Sequence, residues 1–259
     1  MAEYTVIRYV LAGDVAEITL DRPDTLNSLN AAMRSELKHA VERAQAEKAR
    51  AILITGEGRS FCSGQDLGET ETGIPDVERT LREEYEPMAR ALLDCDLPIV
   101  AAVNGTAAGA GASLALLADL VIAGHTSQFV VAFARIGLMP DVALTYFLPR
   151  QVGLSRAMGM AMTTEPVDGQ RAADWGLIWK SVPDDNLMEQ ARALTGALAK
   201  GPTRSFSLIR KAMRASLDND LTAQLAHESK GQGEAASTRD FLEGTTAFLE
   251  KRMPSFEGR

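Results

Sequence analysis

The sequence predicts an α/β fold that ends in a helical region, and three observations carry that prediction. Short, almost wholly apolar runs alternate with longer helical patterns through the first half of the chain, the order expected of crossover units and parallel pairing. Several of those runs have no polar face, as in strands covered on both sides. Beyond about residue 143 helical periodicity dominates. With 259 residues, 46% hydrophobic and 24% charged, the chain is ordinary in composition, and a core of this size needs no disulfide or metal staple.

Residues 4–10 and 15–20 read as strands joined at Ala12-Gly13-Asp14, a hairpin. Asp21-Arg22-Pro23 ends the second strand. Asn30 is placed to cap a helix whose stripe is Met33, Leu37, Val41 and Ala44. A buried strand at 51–55 closes at Gly56-Glu57-Gly58. A helix over 77–93 carries Leu81, Tyr85, Met88 and Leu92, and strands follow at 98–103 and 120–123 around a small-residue helix at 111–117. In the second half, strand signal survives at 129–131 and 177–180. Helices are expected at 143–148, 155–162, 169–174, 186–198, 203–217 and 238–251, the last with Phe241, Thr245, Phe248 and Leu249 as a stripe. The expected organisation is a core over 1–200 and a C-terminal helical region over 201–259.

Charge and composition remove several function classes. A net charge of −8 disfavours nucleic acid as the main partner. The richest apolar stretch, 97–123, is interrupted by Asn104, three glycines and Asp119, so no membrane span is expected. No signal peptide is evident at the N-terminus. Cys62 and Cys95 make no disulfide scaffold, and a reduced, cytoplasmic location is the simpler expectation. His39, His125 and His227 match no zinc spacing, so no metal is expected. Ser63 and Ser113 have no histidine nearby and Gly-x-Ser-x-Gly is absent, which disfavours a hydrolase triad.

Three segments bear on chemistry. Asn104 through Ala112 is a small-residue run between a buried strand and a buried helix. It suits close helix–sheet packing, and equally a ligand approaching unpaired first-turn amides. Phe61-Cys62-Ser63-Gly64-Gln65-Asp66-Leu67 follows another strand. It reads as a turn capped by Asp66 or as a second source of amides, and two such sources make an oxyanion hole. Asp141 stands among apolar neighbours at a helix start. It fits a helix-capping acid and a general base in an apolar pocket.

Three motifs, Phe61 through Leu67, Val103-Asn104-Gly105 through Gly111, and the Gly137–Pro149 segment ending Phe147-Leu148-Pro149-Arg150, resemble the crotonase superfamily, the enoyl-CoA hydratase/isomerase family, and the phrases FCSGQDL, AAGAGASLAL, AADWGLIWK and the ending AFLEKRMPSFEG refine the likeness. Within it, the likeness is greatest to the branch of isomerases acting on the ring epoxide of phenylacetyl-CoA. The resemblance spans nearly the whole chain. It implies a spiral of repeated strand–strand–helix units with C-terminal helices that help form a homotrimer or a dimer of trimers. It also implies acyl-CoA or enoyl-CoA substrates and no tightly bound cofactor, since coenzyme A is part of the substrate. By the same resemblance the amides of Ser63 and Ala110 hold the thioester oxygen, and Leu26, Ser63, Gln65, Asp66 and Leu67 line the coenzyme A site. The backbone at Ser63 and Asp66 is expected to face the adenine. Arg22, Lys251 and Arg252 are candidates for the phosphates.

Family hydratases use two glutamates, and this chain has Ser113 and Phe133 at those places. The expectation is therefore that plain hydration is disfavoured, and that Asp141 shifts a double bond between positions 2 and 3 through a dienolate. The alternatives are formation of an oxepin thioester from the ring epoxide, a hydratase with non-standard acids, and a non-catalytic acyl-CoA-binding homologue. Relatives usually carry glycines two and three residues after this acid. Here Ala143 and Leu144 are expected to narrow the pocket or tilt the helix.

Overall fold

A computed structural model describes residues 4–69 and 76–258. Two sheets stack through the core. The larger has six strands in the order β1 (Ile7–Ala12), β2 (Val15–Leu20), β3 (Ala51–Gly56), β5 (Ile99–Val103), β7 (Leu120–Gly124) and β10 (Lys180–Val182). Only the β1–β2 hairpin is antiparallel; the other four pairings are parallel. The smaller sheet runs β4 (Ser60–Cys62), β6 (Thr106–Ala108), β8 (Gln128–Val130) and β9 (Val167–Asp168).

Chain order explains the architecture. β3 leads into β4, then a helical segment. β5 leads into β6, then α4 (Ala110–Leu116). β7 leads into β8, a 3-10 turn (Ala132–Ile136) and α5 (Leu144–Val152). Each circuit adds one strand to each sheet and one helical stretch, which is the strand–strand–helix spiral. Parallel pairing requires such crossovers, because a tight hairpin can only join antiparallel strands.

The helices pack where their apolar residues dictate. α1 (Ala31–Ala46) starts at Asn30, whose side chain accepts from the Met33 amide at 2.8 Å, and it buries Met33, Leu37, Val41 and Ala44. The segment after β4 consists of α2 (Val77–Thr80), a π-helical turn (Leu81–Tyr85) and α3 (Glu86–Leu93). Further on lie α6 (Leu154–Thr163), α7 (Gly169–Asp174) and α8 (Leu187–Ala199). Leu187 and Ala191 of α8 join Leu53, Val100, Ala102, Ile122 and Val182 in a separate cluster on the outer face of the larger sheet. Each fully buried Leu or Ile of this kind contributes about 1.5–3 kcal/mol.

The C-terminal stretch holds α9 (Thr203–Ala215), α10 (Leu221–Ala236) and α11 (Arg239–Glu250). α9 is pinned by charge. Asp119 accepts from Arg210 Nε at 2.6 Å and from Arg214 at 2.9 Å, and Arg210 also donates to the Leu92 carbonyl at 3.0 Å. Removing one partner from such a buried set leaves an uncompensated charge. No helix among the described residues is long and apolar enough to cross a membrane.

Candidate active site

The chain between β2 and α1 forms the floor. Asn27 adopts a left-handed conformation (φ 57°), which Asn tolerates better than most residues. Its side chain accepts from the Arg22 amide at 2.9 Å and donates to the carbonyls of Glu57 and Ser60 at 2.9 and 2.8 Å. This lashes the 22–29 turn to the approach of β4.

Beyond β4 the chain pairs with Leu29. The Leu29 amide donates to the Gly64 carbonyl at 2.7 Å, and the Asp66 amide donates to the Leu29 carbonyl at 3.2 Å. Extended backbone turns successive peptides to opposite sides. Gln65 therefore faces away from Leu29, and its amide has no hydrogen-bond partner among the described residues. The Ser63 amide, by contrast, donates to the Leu26 carbonyl at 3.0 Å. This corrects the expectation that Ser63 supplies an oxyanion donor: its N–H is already engaged, and the open amide is two residues on. Sequence reasoning missed it because the decisive pairing is with a residue outside the motif.

The second open amide is that of Ala110, the first residue of α4, also without a partner among the described residues. The two loops touch. A Cβ on Gly64 would stand 2.8 Å from the Ala108 carbonyl and 3.3 Å from the Ala110 nitrogen, and one on Gly111 would stand 2.2 Å from the Cys62 carbonyl. Only glycine permits that approach.

Asp141 stands beside α4. Ser113 on that helix donates to the Asp141 carbonyl at 3.1 Å, and the Leu144 amide donates to the same oxygen at 2.9 Å. The side chain lines a cleft of about 350 Å³, walled by Leu81, Tyr85, Ala89, Leu93, Val142 and Ala143 together with Arg82, Glu86 and Arg90. Its Oδ1 is buried with no partner among the described residues. Burial pushes the carboxyl up from an ordinary 3.8 to about 6, with its own backbone amide opposing. Phe133 is buried and Ser113 is occupied as a backbone support, so neither offers a second acid.

Val142 and Ala143 both take left-handed conformations (φ 48° and 63°) before α5 begins. Leu144, expected to crowd the pocket, turns into the core instead and is fully buried. The narrowing groups are Val142 and Ala143.

Other expected binding residues are placed as follows. Leu26, Ser63, Gln65, Asp66 and Leu67 come together along the 26–29 and 63–67 strips, with Leu67 largely exposed. At Ser63 and Asp66, whose backbone is expected to face the adenine, the two amides donate to the 26–29 strip. The Arg22 guanidinium bonds Asp66 at 2.8 Å and the Ser28 carbonyl at 2.8 Å, which ties up its charge. Burial works against the Asp66 carboxylate, but Arg22 and the Gly68 amide outweigh it and hold the group below its usual range. Arg252 pairs with Glu243 and Glu250. Cys62 is fully buried, which pushes its thiol up to about 12 and makes it a packing residue. Among the described residues no cluster of three or more His, Cys, Asp or Glu side chains is placed to hold a metal.

The sequence profile described as Enoyl-CoA hydratase/isomerase matches residues 11–259. A Rhodobacter capsulatus protein named "Probable enoyl-CoA hydratase" is 54% identical over 256 residues, 99% of each chain. The Escherichia coli 1,2-epoxyphenylacetyl-CoA isomerase is 41% identical over 250 residues, 95% of each. The crystal structure of an enoyl-CoA hydratase from Bacillus anthracis superposes with a TM-score of 0.91 at 29% identity, covering 98% of this chain and 100% of that one. The first of these overturns the expectation that hydratase activity is the less favoured one, since a relative sharing over half of its residues carries the hydratase name. That expectation rests on requiring two acids. One carboxyl can accept the proton that water loses and return it to carbon.

Proposed function

Because the chain belongs to the enoyl-CoA hydratase/isomerase family, we propose that it hydrates a 2-enoyl thioester of coenzyme A with Asp141 as its single acid–base group. One observation carries this reading: a carboxyl in a largely apolar cleft, with one oxygen buried and without a partner among the described residues, and its proton affinity raised to about 6. The thioester oxygen accepts from the amides of Gln65 and Ala110. The Asp141 carboxylate takes a proton from water as the water oxygen bonds to carbon 3. The electron pair of the double bond moves toward the thioester, whose oxygen gains charge against the two amides. The protonated Asp141 then gives its proton to carbon 2, and the thioester carbonyl re-forms. Both hydrogens and the oxygen come from one water.

The segments Leu26, Ser63, Gln65, Asp66 and Leu67 are proposed to border the coenzyme A portion. Exposed apolar residues such as Met139, Met162, Phe248 and Leu249 support assembly of like chains, and we propose a trimer or a dimer of trimers. A second reading, isomerisation of a ring epoxide to an oxepin thioester through the same aspartate, is favoured by the 41% identity to the Escherichia coli enzyme of that name.

The test is a panel of crotonyl-CoA, a 3-enoyl-CoA and a ring-epoxide thioester, given to wild type and Asp141→Asn. Hydration of crotonyl-CoA is expected. Its rate should rise with pH through about 6, because the base must be ionised. The Asn variant should lose about 10²–10⁴-fold in kcat, the span typical of general acid–base groups. Turnover confined to the epoxide selects the second reading. Normal turnover by the Asn variant refutes the role of Asp141 in both.

A further inference from the structure

The side chain of Gln65 is held more firmly than its exposure suggests. Its Oε1 accepts from the Tyr85 hydroxyl in a short contact and from Arg34 at 3.1 Å, and its Nε2 donates to the Asp66 carbonyl at 3.1 Å. Arg34 is 3% exposed. It donates to the Leu29 carbonyl at 2.7 Å and to Glu84 at 2.6 and 2.9 Å, and its guanidinium lies 4.7 Å over the Tyr85 ring. Tyr85 itself ends the π-helical turn, is buried, and lines the same cleft as Asp141.

This matters because of the residue before Gln65. Gly64 sits at φ +98°, where a glycine backbone has wide freedom. The direction of the Gln65 N–H depends on the peptide between these two residues. That peptide is planar, so the Gly64 carbonyl held by Leu29 sets the Gln65 N–H to the far side, and the anchored Gln65 side chain adds a second restraint. We propose that Tyr85 is a positioning residue: its hydroxyl clamps the Gln65 side chain and so steadies the Gln65 amide in the direction that Leu29 sets, toward the thioester oxygen, while its ring walls the acyl cleft. This rests on the reading of that amide as an oxyanion donor. It also makes the acyl wall and the oxyanion donor one connected unit, joined directly through the Tyr85 O–H and indirectly through Arg34.

The experiment uses butyryl-CoA labelled with ¹³C at the thioester carbonyl, a saturated probe with no double bond to hydrate. Its carbonyl stretch is read by infrared difference spectroscopy when bound to wild type, Tyr85→Phe and Gln65→Met. Phe keeps the ring and its contact with Arg34; Met keeps the length of Gln without the acceptor. Wild type should lower the bound stretch relative to free probe, and both variants should recover part of it toward the free value. With crotonyl-CoA, each variant should lose about tenfold in kcat with KM within twofold, below the roughly 10²–10³-fold cost of removing a donor outright. The double variant should lose little more than either single one, because both break the same clamp. A wild-type shift that persists undiminished in Tyr85→Phe overturns the positioning role alone. No shift in wild type sinks the donor reading and the positioning role together. A matching loss in kcat with an unchanged carbonyl stretch also overturns it, since it marks a role elsewhere in catalysis.

Discussion

Replacing Asp141 with Asn should stabilise the protein at neutral pH while abolishing its chemistry. The carboxyl sits where burial raises its proton affinity from 3.8 to about 6, so the ionised form is the one the fold disfavours. The sign follows directly. Between these values the native state holds a proton that the unfolded chain has released, so stability falls as pH rises through the window from about 4 to 6. The penalty is complete above about 6. At about 1.36 kcal/mol per tenfold change, the gap corresponds to about 3 kcal/mol, or about 2 kcal/mol once water on the open side of the carboxyl is allowed for. Asn fills the same space without charge and avoids the penalty. For a chain of this size, 2 kcal/mol is about 4–8 °C in Tm. Melting both proteins at equal concentration near pH 4 and near pH 7.5 checks this, equal concentration being essential if they assemble. The Asn variant should melt higher at the upper pH and level with wild type at the lower. A variant that melts at or below wild type near pH 7.5, or a gap insensitive to pH, refutes the claim that the site destabilises the ionised carboxyl.

Two further outcomes concern the site's supports. Asn27→Ala removes three hydrogen bonds and strands the carbonyls of Glu57 and Ser60; the expected cost is about 3–5 kcal/mol, read as a lower urea midpoint with an unchanged m-value. Ala143→Gly should relieve about 1–2 kcal/mol of left-handed strain against about 0.4–1 kcal/mol of added unfolded-state entropy. A net gain of about 0.5–1 kcal/mol is expected by denaturant titration, and a loss would mean that the Ala143 methyl packs better than its backbone is strained.

The sequence made the larger sheet legible and the smaller one nearly invisible. β5 is an unbroken apolar run of five residues and β3 opens with four before Thr55 and Gly56, and both strands are fully buried. β4, β6 and β8 are three residues each and β9 two, too short for a period to show. The strand expected at 177–180 lies two or three residues later, at Lys180–Val182. Helix α10 was not foreseen because none of its residues is buried; it lies against α9 without an apolar stripe to mark it. In the site, Asp141 was legible as an acid among apolar neighbours. The open amide at Gln65 was not, because its direction depends on Leu29, far back in the chain. The inward turn of Leu144 was equally hidden, since it follows from the left-handed pair before it.

The pairing of Leu29 with Gln65 has a consequence for how this loop can evolve. A peptide offers a positive end and a negative end, and the register decides which one a bound anion meets. Deleting a single residue between Cys62 and Asp66 would present a carbonyl in place of the N–H, so a developing negative charge would meet repulsion. Gly64 and the Gln65 side chain apart, the backbone count matters more here than side-chain identity, and an insertion or deletion would do more harm than most substitutions.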